Sequence, residues 1–291
     1  MKPEVNAMGT NDKVRVVTDS GSDLRSLAEE LGVTVVPLKM HFGERLYVDC
    51  VDFTPQQFFK ELLASTTIPR TSQPSPGDFV DAYRRLAAEG VKTIVSVHLS
   101  AKLSGTLQSA VLAKSMVPEV EVLPVDSLSA SWGLGMQVIE AARAANAGKS
   151  AAEIVSLVEA LSRRVHIYFT LDTLEYLRKN GRIGRAQALL GTLLSVKPIL
   201  TLEDGEIAPA DKVRGRSRVI PRLLEIAAEK VPPKSKVRLT VIHSMAEEEA
   251  ATLKAELERQ YDVVEGRVSW VGAMIGCHTG PGLLAFCMYA A

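Results

Sequence analysis

The feature that most constrains this chain is an alternation beginning at its fourteenth residue: short β-branched runs end in a polar turn and pass at once into helical spacing. Residues 14–17 run into Thr18-Asp19-Ser20-Gly21-Ser22-Asp23, and residues 24–31 follow with apolar side chains at helical intervals. The pattern recurs. Residues 91–99 read as a strand, 100–105 as a turn and 106–115 as a helix; 120–125 is another strand and 134–147 another helix, closed by Gly148. Consecutive strands joined through helices need crossovers, so the repeat predicts a mostly parallel sheet with flanking helices. Within it, residues 33–36 read as a second strand and 37–52 as a hairpin or irregular region turning at Gly43. Thr54-Pro55-Gln56-Gln57 supplies an N-cap, a proline at the first helical position and a glutamine at the third. It predicts a helix over 55–64 with Phe58, Phe59, Leu62 and Leu63 on one face. Pro74 keeps Gln73 extended, and Ser75-Pro76-Gly77-Asp78 caps a helix reaching about 89.

Past Ser150 the rhythm changes. A strand at 166–169 precedes a long helical region, 173–194, interrupted by Asn180-Gly181 and Gly184. Strands at 196–202 and 207–213 flank Glu203-Asp204-Gly205-Glu206, where Asp-Gly signals a hairpin. Helices at 218–230 and 245–260 then alternate with strands at 237–243, 263–270 and 283–288. The expectation is two α/β domains, the first (14–165) mostly parallel, the second (166–291) with a mixed or antiparallel sheet and helices, after a polar, disordered leader at 1–13. A length of 291 residues suits two such domains.

Hydrophobic residues at 46% and charged ones at 23% give the balance of a globular protein with a real core. Residues 1–13 lack a signal peptide's apolar run, and no stretch is long and apolar enough to span a membrane, so a cytoplasmic protein is expected. Cys50, Cys277 and Cys287 form no CxxC pair, which fits a reducing compartment. His41, His98, His166 and His243 show no spacing that would join His278 around a metal, and neither a metal nor a cofactor is expected. Lys plus Arg balances Asp plus Glu at 34 each, against a field that gathers nucleic acid. The balance is global and not local: residues 163–222 carry 12 basic and 6 acidic side chains, against 22 basic and 28 acidic elsewhere, and so either meet an anion or form a solvated face.

Chemistry should lie in the polar turns, because open parallel sheets bind ligands at the carboxyl ends of their strands. Ser104-Gly105-Thr106 is suited to seat an anion at a helix start, or simply to cap that helix. His278-Thr279-Gly280-Pro281-Gly282 places two polar side chains on a rigid turn before the final strand. Arg178-Lys179-Asn180-Gly181-Arg182 complements a helix C-terminus, and Arg214-Gly215-Arg216-Ser217-Arg218 is either a solvated turn or a surface for a phosphate-bearing partner. There is no G-x-S-x-G elbow, no phosphate-binding G-x-x-x-x-G-K-[ST] loop and no H-E-x-x-H, so no catalytic residue can be named.

Five motifs, taken in order, resemble the DegV family over about residues 14–290: Val17-Thr18-Asp19-Ser20, Thr71-Ser72-Gln73-Pro74-Ser75, Leu103-Ser104-Gly105-Thr106, Leu174-Glu175-Tyr176-Leu177-Arg178-Lys179-Asn180-Gly181-Arg182 and His278-Thr279-Gly280-Pro281-Gly282. The resemblance implies two α/β domains with a ligand tunnel between them and binding of a long-chain fatty acid. It further implies a non-catalytic role as the acyl-binding subunit of a bacterial fatty acid kinase, presenting the carboxylate to a separate ATP-binding subunit that makes acyl phosphate. On the same basis Thr71, Ser104 and His278 hold the carboxylate, with Ser72 and Thr279 as neighbours, while Arg178, Arg214 and Arg216 face ligand or partner. Transient contact with a membrane surface is left open. Phe58, Phe59, Leu62, Leu63 and residues 189–194 are candidate tunnel walls or ordinary core. Ala101, Asn180 and Cys277 depart from the family's usual residues, and Ala101 and Cys277 are candidates for altering the pocket's shape. The competing readings are an independent hydrolase or transferase acting on an acyl or phosphorylated small molecule, and, from the charge excess alone, a nucleic-acid or regulatory protein.

Overall fold

The computed structural model describes residues 14–190 and 196–291. The expected leader at 1–13 and residues 191–194 of the expected helical region fall outside that description. Its strands, in chain order, are β1 (Val14–Asp19), β2 (Thr34–Val36), β3 (Lys39–Phe42), β4 (Arg45–Val48), β5 (Arg70–Ser72), β6 (Thr93–His98), β7 (Glu121–Asp126), β8 (His166–Thr170), β9 (Val196–Glu203), β10 (Glu206–Arg214), β11 (Lys236–His243), β12 (Asp262–Trp270) and β13 (Leu284–Ala290).

The first sheet is wholly parallel, in the order β2-β1-β6-β7. Its central strands are apolar on both faces because both faces are covered. Ile94 of β6 joins Phe79, Tyr83 and Leu86 of the helix Pro76–Ala88 and Ala110 and Ala113 of Thr106–Lys114. Val95 and Val97 face the other way, toward Leu134 and Val138 of Trp132–Asn146 and Ile154 and Val158 of Ala151–Ser162. The last of these helices was not anticipated, although Ser150 and Glu153 form a capping box at its start. The 37–52 region is a hairpin as expected, and it pairs with β5 into a separate antiparallel sheet, β4-β3-β5, in which Thr71 lies opposite Met40.

The second sheet runs β10-β9-β8-β13-β11-β12, and among the described residues only its β11–β12 pair is parallel. Asp204 and Gly205, at φ 50° and 79°, make the tight turn between β9 and β10. The helices Val219–Lys230 and Glu247–Gln260 cover its outer face through Leu223, Ile226, Leu253 and Leu257. The inner face joins a hydrophobic core that also holds Val16, Val95 and Val97 of the first sheet, with the Trp132–Asn146 helix packed between the two. Over its described residues, 173–190, the expected helical region is less helical than its sequence suggests: these hold one short helix, Glu175–Lys179, and a 3-10 stretch, Gly184–Leu189.

Candidate functional site

In the first sheet the chain leaves β1 for β2 on one side and reaches β6 on the other, so the sheet's topological switch lies between β1 and β6. A cavity opens beyond the carboxyl ends of these strands, between the two sheets. It holds about 820 Å³ of atom-free space, part of it open to solvent. Leu99 contributes from the first sheet's side, Ile167, Phe169 and Ala285 from the second, Val271 from just before the helix Ala273–Thr279, and Met274 and Ile275 along it.

Polar side chains on this wall are few, and most are grouped. Thr71 Oγ1 lies 2.9 Å from His278 Nε2, joining residues 207 positions apart in the chain. Thr279, next to it, lines the same space while its hydroxyl donates to Ile275 O at 3.2 Å. Ser104 approaches from the turn before Thr106–Lys114, with its Oγ 2.8 Å from Thr106 Oγ1. Arg182 completes the group, its Nε donating to Leu103 O at 3.1 Å and its Nη1 to Asn180 O at 2.7 Å. Apart from Ser131, the other lining side chains are apolar.

His278 is held neutral. Burial, and then the positive charge of Arg182, pull its imidazole from the ordinary 6.5 down to about 4. Its Nδ1 is buried without a hydrogen-bond partner among the described residues. An unpaired buried polar atom is a costly arrangement unless something else bonds to it.

Local sequence explains the placement of each group. His278 was expected on a turn, but it sits in the last turn of Ala273–Thr279, and the turn proper begins at Gly280. Gly280 has φ 70°, and a Cβ there would lie 2.3 Å from the Tyr176 ring; Gly282, at φ 82°, would similarly strike Asp172. Phe58 and Phe59 pack behind this helix: a Cβ on Gly276 would come within 2.8 Å of both rings. These two phenylalanines are therefore supports and not tunnel walls, Leu62 is likewise core, and Leu63 is 56% exposed. Asn180 donates from Nδ2 to Cys277 O at 2.9 Å, tying the Arg182 segment to the His278 helix. Neither Ala101, which is exposed, nor Cys277, whose Sγ lies against Met40 Sδ, lines the cavity, so neither shapes it directly.

Other expected site residues are placed elsewhere. Ser72 follows Thr71 on a strand, where successive side chains point to opposite faces, and its Oγ lies 3.4 Å from His41 Nε2 and away from the cavity wall. Arg178 and Arg214 are exposed and off the wall. Arg216 is engaged internally, with Nη2 2.6 Å from Glu249 Oε2 and Nη1 donating to Gly282 O at 3.0 Å. Arg182, present in a recognised motif but passed over as a site residue, is the arginine that reaches the cavity. Its signal was the tight turn at Gly181, φ 69°, which reverses the chain and points the next residue back.

Comparison with known proteins decides the relationship. A family model described as an uncharacterised protein of the DegV family matches residues 13–291. This chain belongs to the DegV family. A DegV domain-containing protein of Halalkalibacterium halodurans is 38% identical over 278 residues, covering 95% of this chain and 98% of the relative. Among solved structures, a DegV family protein from Thermus thermophilus, described as fatty acid binding, superimposes with a TM-score of 0.90 at 39% identity, covering 96% of this chain and 100% of that one. Bacillus subtilis DegV, described as a fatty acid binding protein, gives 0.88 at 35% identity, covering 96% and 99%. Among the described residues of this DegV protein no helix is long and apolar enough to cross a membrane, and no group of three or more His, Cys, Asp or Glu could hold a metal.

Proposed function

We propose that this DegV protein binds a long-chain fatty acid, with the carboxylate among Thr71, Ser104, Thr279, His278 and Arg182 and the tail along the apolar wall. The observation that carries this reading is the convergence of those groups on one otherwise greasy cavity. A shielded carboxylate needs several donors; the Ser104 hydroxyl, the Arg182 guanidinium and one member of the hydrogen-bonded Thr71–His278 pair supply them. Each methylene removed from water contributes about 0.8 kcal/mol, so the tail supplies most of the affinity and the headgroup cluster supplies selection. The solved relatives described as fatty acid binding support the same ligand class. Native mass spectrometry of gently purified protein should show a mass increment equal to that of a fatty acid. Protein that is empty and fails to bind both hexadecanoic and octadecanoic acids would refute the proposal.

The bound acid is, in this reading, presented to a separate ATP-binding kinase subunit that forms acyl phosphate, and the protein itself does no chemistry. The exposed cations Arg178 and Arg214 suit an acidic or phosphate-bearing partner better than an internal ligand. The division of the chain near residue 165, between Ala151–Ser162 and β8, belongs to this proposal, with each part contributing one side of the cavity. One observation favours the alternative of an independent hydrolase or transferase: the Thr71–His278 pair has the spacing of a hydroxyl nucleophile and its base. Against it, the outer nitrogen of that imidazole lacks an orienting carboxylate among the described residues. Turnover of an acyl ester or acyl phosphate by the purified protein alone would favour the alternative.

A further inference from the structure

Outside the cavity wall lies a chain of buried polar side chains. Asp19 closes β1, and its carboxylate takes three donors: Gly21 N–H at 2.9 Å, Leu99 N–H at 3.1 Å and His98 Nδ1 at 2.9 Å. On the other side of the imidazole, Nε2 lies 2.7 Å from Ser96 Oγ, which lies 2.8 Å from Tyr83 OH. Asp19, His98, Ser96 and Tyr83 are all fully buried, with the Phe79 ring edge-on to the imidazole at 5.0 Å. Since a carboxylate only accepts, Nδ1 donates to Asp19, and hydrogen bonds running from Tyr83 to Ser96 to Nε2 engage the other side of the ring.

The other end of this chain reaches the site through the backbone. Leu99, whose N–H is gripped by Asp19, lines the cavity and starts the turn that ends in Ser104. Ser104 N–H in turn donates to Ser100 O at 3.1 Å, and Ser100 Oγ donates to Gly205 O at 2.7 Å, across to the β9–β10 hairpin. We infer that Asp19 and His98 are positioning residues for the carboxylate seat: they fix the start of the Leu99–Ser104 turn, and with it the placement of the Ser104 hydroxyl, without contacting the ligand.

This inference rests on the fatty-acid reading, and the test separates the two. Affinities for hexadecanoic acid and hexadecanol are measured by calorimetry on wild type, His98→Asn and His98→Gln. The asparagine amide replaces Nδ1 and keeps the bond to Asp19; the glutamine amide replaces Nε2, keeps the bond to Ser96 and releases Asp19. The acid-over-alcohol preference should survive in His98→Asn and fall about tenfold in His98→Gln, equivalent to roughly 1.4 kcal/mol. Thermal melts of both proteins report any general loosening, which lowers acid and alcohol affinity together and leaves their ratio unchanged. Equal ratios in the two variants, whether both retained or both lost, would overturn the positioning role. A wild-type protein that does not prefer the acid would instead overturn the fatty-acid reading itself.

Discussion

Two groups near the cavity, the buried Asp23 and the partly buried His278, should titrate in opposite senses, and acidification exposes them. His278 falls from 6.5 to about 4 through burial and the Arg182 charge. Asp23 rises from 3.8 to about 6, chiefly through burial, while Arg25, the Ser131 hydroxyl at 2.5 Å and Gly272 N–H at 3.1 Å only partly hold it down. A histidine that is easier to keep neutral in the fold stabilises it at neutral pH, and that contribution is lost as pH drops from above 6.5 toward 4. A carboxyl raised by burial behaves the other way: its charge costs stability at neutral pH, and the cost is relieved as pH falls from about 6 toward 3.8. At about 1.36 kcal/mol per decade, each effect amounts to roughly 2–3 kcal/mol between pH 7 and 4. In wild type they nearly cancel. Urea denaturation of wild type, Asp23→Asn and His278→Gln at the two pH values isolates them, because every other titrating group is common to the three proteins. Relative to wild type, Asp23→Asn should lose about 2–3 kcal/mol more on acidification, and His278→Gln should lose about that much less. Identical pH dependence in the two variants would show that burial does not set these protonation states.

Arg182→Met should weaken hexadecanoic acid binding by about ten- to a hundredfold, the range for losing a hydrogen bond to a charged group, while Arg178→Met, on the exposed face, should leave it unchanged in the same titration. Ser104→Ala should reduce affinity for the acid and not for hexadecanol, which isothermal calorimetry on both ligands would show. Gly280→Ala should cost roughly 3 kcal/mol in urea denaturation, since a methyl group at φ 70° meets the Tyr176 ring.

The parts of the fold that local rules govern were legible. The helix Pro55–Ala64 has the start and end its capping residues imply, and β1, β6 and β7 fall where β-branched runs end in polar turns. Ala151–Ser162 escaped because its apolar residues follow directly on another helix, although its Ser150 and Glu153 cap was written plainly. The breaks expected at Asn180-Gly181 and Gly184 are present, both glycines taking positive φ, but over the described residues to 190 the stretch beyond them is 3-10 and not a resumed α-helix. Of the site, sequence motifs named Thr71, Ser104, His278 and Thr279, which the fold brings to one cavity. Ser72 was named as the neighbour of Thr71, and strand alternation sends it away; Arg178 was named by resemblance as facing ligand or partner, and it lies exposed and off the cavity wall. Arg182 depends on the direction of a reversed chain, which spacing alone does not encode.

The side chains bordering the cavity are largely those of the main core itself: Leu99, Ile167, Phe169, Val271, Met274 and Leu283 belong to both. An occupant is thus packed as though it were one more buried residue, and an empty protein carries a hole at its centre. Vacancy should then read as fragility. A cell short of the occupant would hold a softer, more readily degraded population, so the amount of intact protein would follow the supply of what it carries.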